Sequence, residues 1–323
     1  MATLGQVALR GNAQSFEYLL NRTAQHPLGE LRWLSTALKK ELDQEIPSLL
    51  LRLQDEKSRD YQQYLTRKHE RVRDFAAAHP PRSAPEDSPA GVRLVEWDPD
   101  AENKVLAGIL FAHTHVDWNE AFQTVCVLPD HEKRDLLERY LAERPARWYK
   151  VGRSLENSYL RFEILVDIGS YRDLHRHRMM TQERQLFSTH HGYDVPTEIT
   201  EAGFEDRYRK ALDRARTLFK TLEARDAELA QYVVPLAYRV RFYQWQNFRQ
   251  LFWETELRTI SQGHPTYRTV EQEKYKLVRG KFPLLTKYML VDMNDYSTAR
   301  RGTEENMERK EERILSKLKD QTR

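Results

Sequence analysis

The stretch Tyr171-Arg172-Asp173-Leu174-His175-Arg176-His177-Arg178-Met179-Met180-Thr181-Gln182-Glu183-Arg184-Gln185-Leu186-Phe187 decides how the rest of the chain is read. Arg172, Arg176, Arg178 and Arg184 bracket His175 and His177, with few carboxylates nearby to neutralise them. Crowded guanidinium groups repel unless anions sit between them, and the planar Arg fork suits bidentate contact with phosphate or carboxylate. Just upstream, Tyr159 to Val166 alternates apolar and polar residues in the manner of a strand. A strand that delivers a cationic cluster to its exit builds an anion site, so Arg176-His177-Arg178 is read as the functional centre. The competing reading of the same residues is a solvated ion-pair cluster with Asp167, Asp173 and Glu183.

The chain has 323 residues, enough for one large domain or two, with 31% charged residues and a mean hydropathy of -0.78. A formal net charge of +3 gives no overall basic field of the kind a dedicated nucleic-acid binder carries. The positive charge that matters is local. The single cysteine, Cys126, excludes an internal disulfide framework, fits a reducing cytoplasm, and reads as a small hydrophobe within Phe122 to Leu128. No apolar run approaches the ~20 residues of a membrane span, and no signal-peptide pattern opens the chain.

Residues 1–75 read as helical, with Leu31, Leu34, Leu38, Leu42 and Ile46 forming one apolar stripe that Pro47 interrupts. Residues 76–91, with four prolines among Ser, Asp and Gly, read as a linker. A second domain is expected over 92–296, with strands at Val92–Trp97 and Tyr159–Ile168. Helices are expected at Ala101–Phe111, Pro129–Ala142, Phe204–Leu229, 236–264 and Tyr267–Tyr288. The charged tail 297–323 reads as a solvated helix or a disordered segment. The fold class is therefore α+β: a small, mainly antiparallel sheet from residues 92–170, surrounded by long helices.

An internal repeat is also legible. Laying 11–52 on 247–288 pairs Gln14 with Gln250, Phe16 with Phe252, Arg22-Thr23 with Arg258-Thr259 and Arg32 with Arg268. It also pairs Lys40 with Lys276, Pro47 with Pro283 and Leu49 with Leu285. On this reading the first segment is the end of one unit, the linker joins it to a complete second unit, and the rest of the first unit is a missing partner chain or a lost one.

Arg-His-Arg after an apolar strand, followed by a polar turn and a long helix, resembles the signature of the flavin-dependent thymidylate synthases. A second block resembles theirs too: Val234-Pro235-Leu236, then Asn247-Phe248-Arg249, then Leu257-Arg258 nine residues beyond Arg249. The resemblance implies the thymidylate synthase-complementing protein fold and reductive methylation at uracil C5, dUMP to dTMP. FAD would serve as hydride carrier, with NADPH and methylenetetrahydrofolate as co-substrates. It further implies that Arg176, His177, Arg178, Asn247 and Arg249 bind the cofactor. Arg258 would bind the uracil ring and favour its ionisation, with Arg184, Ser188 and Arg22 as further substrate-binding residues. Family members are homotetramers with sites made at subunit interfaces, so a homo-oligomer is implied. The departures are Leu186 where the family has serine, Gln231 for an arginine, Trp253 for an asparagine, and Gln262 for a histidine.

Two readings from other classes stand beside this one. A flavin- or nucleotide-binding pseudoenzyme serving as a subunit of a complex would account for Leu186, Gln231 and Trp253. A nucleic-acid-binding protein would use His175 to Arg184 as a basic patch, against which the near-neutral total charge speaks. The pairs His113/His115, His175/His177 and His190/His191 lack partners at a metal-ligand spacing, so no metal is expected.

Overall fold

Alternation along two strands sets the sheet. In β2 (Leu160–Asp167), Leu160, Phe162, Ile164 and Val166 are buried, while Arg161 and Glu163 between them are half-exposed. In β4 (Arg239–Gln246), Val240, Phe242, Gln244 and Gln246 turn inward and Arg239, Arg241, Tyr243 and Trp245 turn outward. With β1 (Gly91–Trp97) and β3 (Thr181–Arg184) they form an antiparallel sheet in the order β1-β2-β4-β3, with Leu160 opposite Gln246 and Asp167 opposite Arg239. The outer face carries cross-strand ion pairs, Arg93 with Glu163 at 2.6 Å and Arg161 with Glu96 at 2.7 Å.

The computed structural model describes residues 8–80, 89–296 and 306–314. Two compact units divide the chain, Met1–Glu86 with Thr217–Val233 and Asp87–Arg216 with Val234–Arg323. In the second unit, helix Pro265–Arg279 packs on β1, β2 and helix Phe248–Arg258, burying Val270, Val278, Phe248, Leu251 and Phe252. Helix Ala101–Phe111 is buried along Ala101, Val105, Leu106, Ala107 and Ile109. Gly152 closes the turn before Arg153–Glu156 at φ 77°, where a Cβ would stand 2.0 Å from the Tyr140 hydroxyl oxygen.

In the first unit, helix Gly29–Glu45 lays Leu38 and Leu42, with Ile46 beyond it, on a core of Leu20, Leu50 and Leu53. The expected stripe thus closes on itself in part. The two segments paired in the sequence also have helix boundaries that correspond to within two residues. Ala13–Thr23, Gly29–Glu45 and Pro47–Leu50 correspond in sequence to Phe248–Arg258, Pro265–Arg279 and Pro283–Thr286. Ile46 and Phe282, before the two prolines, have nearly the same backbone angles, φ/ψ -137°/48° and -130°/64°.

Four expectations need correcting. The helix expected over 236–264 is strand β4 followed by a helix that starts after Asn247, because inward Val240, Phe242 and Gln244 recur at period two. The helix expected over Phe204–Leu229 ends at Glu223, and Asp226 caps a separate turn at Ala227–Ala230. Tyr267–Tyr288 breaks after Arg279, where Pro283 starts a new turn. The sheet reaches beyond 92–170 by recruiting β3 and β4. An unanticipated helix, Trp118–Val127, holds Cys126 half-buried. Residues 81–88 of the linker and most of the tail lie outside the described residues; 306–314 is helical.

Phe162 is fully buried at the centre of the inner face. Phe162→Ala is expected to lower stability by about 3–5 kcal/mol, the usual cost of an aromatic cavity. Urea unfolding of the full chain measures it, and a loss below about 1 kcal/mol would contradict the packing described.

Candidate functional site

Helix Phe248–Arg258 presents Gln250, Glu254 and Arg258 at intervals of four, so all three lie on one face. Asn247 caps that helix, its Oδ1 accepting from the Gln250 N–H at 2.9 Å. Helix Pro265–Arg279 opposes it with Tyr267, Glu271 and Lys274. The turn after helix Ile168–Leu174 then brings in His177, which is buried.

The Arg258 Nε–H donates to His177 Nε2 at 2.8 Å, and Arg258 Nη2 donates to the Asp173 carbonyl at 2.7 Å. A ring nitrogen that accepts cannot carry a proton, so the neutral imidazole holds its proton on Nδ1. Nδ1 faces the Gln250 side-chain amide, whose Nε2 lies 3.3 Å away. Burial lowers the His177 pKa below the ordinary histidine value, with Arg258 and Lys274 adding to the effect. Arg258 also lies over the Tyr267 ring, 5.5 Å from its centroid. Its second terminal nitrogen, Nη1, has no hydrogen-bond partner among the described residues.

Beneath this pair is a buried ionic cluster. Lys274 Nζ donates to Gln244 Oε1 at 2.8 Å, Glu254 Oε2 at 2.6 Å and Glu271 Oε1 at 3.1 Å, and Gln244 Nε2 donates to Glu254 Oε1 at 3.0 Å. Burial alone would push Glu254 up, but Lys274, His177 and Gln244 bring its carboxyl below the usual range. The Lys274 ammonium is likewise lowered by burial but raised by the two carboxylates, which win. Glu254 is therefore a carboxylate and Lys274 an ammonium at neutral pH.

A cavity of about 270 Å³ adjoins the site, lined among others by Asn247, Arg249, Gln250, Trp253, Lys150 and Met179. Its floor is Arg144 paired with Glu256 through both guanidinium nitrogens, at 3.0 and 2.6 Å. Its wall is aromatic: Lys150 Nζ lies 4.0 Å from the Trp253 ring centroid, and Phe252 and Tyr149 complete it. Arg249 forms an ion pair with Glu156.

The expected site residues separate into groups. His177 and Arg258 are brought together, and Asn247 and Arg249 line the adjacent cavity. Arg176 and Arg178 stand outward on the surface; Arg176 pairs with Asp173 at 3.3 Å, and Arg178 has no ion-pair partner among the described residues. The ion-pair reading thus accounts for Arg176 and not for His177. Arg184 lies over the Phe187 ring at 4.0 Å, and the Ser188 hydroxyl accepts from the His190 N–H at 3.3 Å. Arg22 belongs to the first unit and donates to the Tyr18 hydroxyl at 2.7 Å. Sequence reasoning missed Gln250, Glu271, Lys274, Gln244 and the Arg144–Glu256 pair. The four-residue spacing of Gln250, Glu254 and Arg258 was the available signal. Among the described residues, no group of three or more His, Cys, Asp or Glu side chains could hold a metal ion, and no helix is long and apolar enough to cross a membrane.

The family profile for thymidylate synthase complementing protein matches residues 93–284. The chain belongs to that family. It is 35% identical over 306 residues to a UPF0159 protein of Chlamydia pneumoniae, covering 94% of this chain and 57% of the relative. It is 33% identical to one of Chlamydia muridarum, covering 93% and 57%. It is 28% identical to one of Thermoplasma acidophilum, covering 94% and 60%. The chain therefore spans less than two thirds of the length of these curated relatives. Among solved structures, it is similar to the UMP/dUMP methylase PolB from Streptomyces cacaoi bound with 5-Br dUMP. That match has 16% identity and a TM-score of 0.48, and covers 62% of this chain and 94% of that one.

Removing one partner from the ionic cluster tests it. Lys274→Met leaves the buried Glu254 carboxylate without its counterion and is expected to cost about 3–5 kcal/mol at neutral pH. Adding Glu254→Gln in the same background should recover a large part of that loss. Chemical unfolding of single and double variants reads both, and a single-variant loss below about 1 kcal/mol, the worth of an exposed pair, would contradict the arrangement.

Proposed function

We propose that the second unit binds FAD and a pyrimidine nucleotide, and that the chain takes part in reductive methylation of dUMP to dTMP with NADPH and methylenetetrahydrofolate. The observation that carries this reading is the Arg258 guanidinium, steered by neutral His177 and the Asp173 carbonyl so that one terminal nitrogen remains to donate. A guanidinium so held offers donors and charge to a uracil ring that gains negative charge at N3 and O4.

The residues present fit a flavin. The cavity combines an aromatic wall, Trp253, Phe252 and Tyr149, with Arg147, Lys150 and Arg249 at its lining. Such a set suits a planar ring on an apolar surface and phosphates beside cations. Bound FAD would supply hydride chemistry. The chain's own residues do the rest: Arg258 stabilises charge on the pyrimidine, His177 and Gln250 fix its direction, and Arg249 with Lys150 holds phosphate. Asn247 has committed its oxygen to the helix cap, which leaves its amide nitrogen to donate into the cavity. Arg176 and Arg178, exposed on the same turn, are available to anions or to a neighbouring subunit of a homo-oligomer. No protein nucleophile is required; orientation and electrostatics are the protein's contribution.

One observation favours a second reading, a nucleotide-binding pseudoenzyme: the Lys150 ammonium already occupies the face of Trp253, where the family pattern has an asparagine. We also propose that residues 1–75 are the helical end of a first synthase-like repeat, joined by 76–91 to a second over 92–296 and followed by a charged tail. The correspondence of the two helical sets, to within two residues at every boundary, supports this.

The purified full chain is expected to show flavin's visible absorption and to form thymidylate from dUMP, NADPH and methylenetetrahydrofolate. Arg258→Ala should reduce the rate on the order of 10²–10³-fold, and Arg258→Lys, which keeps the charge and loses the fork, should also be poor. Flavin without turnover would select the pseudoenzyme; protein that neither carries nor takes up flavin would overturn both readings.

A further inference from the structure

Lys274 is the one ammonium that Glu254 and Glu271 share. Glu254 satisfies both oxygens, one with Lys274 at 2.6 Å and the other with Gln244 at 3.0 Å. Glu271 satisfies one, with Lys274 at 3.1 Å; its Oε2 is buried and has no hydrogen-bond partner among the described residues. Both carboxyl groups and the ammonium are fully buried. An unpartnered oxygen on a buried carboxylate is costly, and a proton there removes most of that cost.

The groups facing Glu271 come from several elements. Helix Phe248–Arg258 brings Glu254 and Arg258, its own helix brings Lys274, and the turn after Ile168–Leu174 brings His177 to the Arg258 end of the cluster. β4 contributes uncharged Gln244, and β2 contributes Phe162, whose ring centroid lies 5.2 Å from the ammonium. We infer that Glu271 is a proton-binding site whose occupancy sets the net charge of the cluster around the Arg258–His177 pair and hence that pair's hold on an anion.

The charges are easily followed. With Glu271 a neutral acid, Glu254, Lys274 and Arg258 sum to one positive charge beside a neutral His177. When Oε2 loses its proton to solvent the sum becomes zero, and the attraction for an anion at Arg258 falls. Burial first, and then the neighbouring Glu254 charge, pushes Glu271 up to about 8. The change of charge therefore falls just above neutral pH, where His177, lowered by burial, is already neutral. In linkage terms a raised carboxyl pKa stabilises the fold fully below the unfolded value, and that stability is lost as pH rises through the folded one. That the anion is a nucleotide rests on the function proposed above; the proton site does not.

The test uses the full chain without nucleotide or added cofactor, so failure of a thymidylate assay leaves it unaffected. Glutamate labelled with ¹³C at the carboxyl and histidine labelled with ¹⁵N are followed by NMR from about pH 6 to about 10. One carboxyl signal should inflect near pH 8. It should be missing in Glu271→Gln and shifted to lower pH in Glu254→Gln, which removes the neighbouring charge and keeps its shape. The His177 ring nitrogens, identified by their loss in His177→Gln, should move with the same inflection in wild type and remain flat in Glu271→Gln. A Glu271 signal already ionised at about pH 6 would overturn the proton site, and His177 signals that ignore the Glu271 inflection would overturn the coupling. Should Glu271→Gln not fold, the displaced inflection in Glu254→Gln still decides the matter.

Discussion

With no exposure to solvent, the Lys274 ammonium has to find its partners inside the fold, and those partners come from three elements: Gln244 from β4, Glu254 from one helix and Glu271 from its own. Losing Glu254 would strand a buried charge, which costs several kcal/mol. The geometry is therefore narrow. It fixes the rotation of helix Phe248–Arg258 against its neighbour and against the sheet. Gln250 and Arg258 lie one turn to either side of Glu254, so the same constraint sets both on His177. A hydrophobic cluster of equal volume could hold the helices together as tightly, but it would not distinguish one rotation from another so sharply.

That constraint explains which parts of the molecule were legible in the sequence. Strand β2 was readable because Phe162, Ile164 and Val166 alternate with Arg161 and Glu163. Strand β4 was not, because its inward positions include two polar residues: Gln244, which the ionic cluster meets, and Gln246, whose buried side-chain amide has no hydrogen-bond partner among the described residues. Read as a string, Gln244 and Gln246 look like the solvent side of a helix. The catalytic candidates were split in the same way. His177 and Arg258 could be named from their motifs, 81 residues apart. Their mutual hydrogen bond could not, since nothing local records which nitrogen of His177 faces which donor. Lys274 and Glu271 looked like ordinary charges on an amphipathic helix, and only the packing of Pro265–Arg279 across β1 and β2 shows them to be internal.

In sequence alignment, the proposed repeat sets the two arginines side by side. At the offset that pairs Arg22 with Arg258, Glu254, Glu271 and Lys274 correspond to Tyr18, Ser35 and Leu38. The first segment keeps a similar helix pair and the proline turn, yet Leu38 packs in an apolar cluster, and Arg22 donates to the Tyr18 hydroxyl and lies over its ring. Gly11 and Ala13 stand where the second segment has Asn247 and Arg249. A neutral interior can maintain the same backbone, because burial of leucine supplies the stability that ion pairing does not. It supplies no field, however, and no partner that would orient an arginine toward an anion.

The central claim is that one arginine, Arg258, and not its counterpart Arg22, holds the nucleotide. Calorimetric titration of dUMP into the full chain, Arg22→Ala and Arg258→Ala tests it most directly. Binding by wild type and Arg22→Ala with none by Arg258→Ala is the predicted result; binding retained in Arg258→Ala and lost in Arg22→Ala would contradict it.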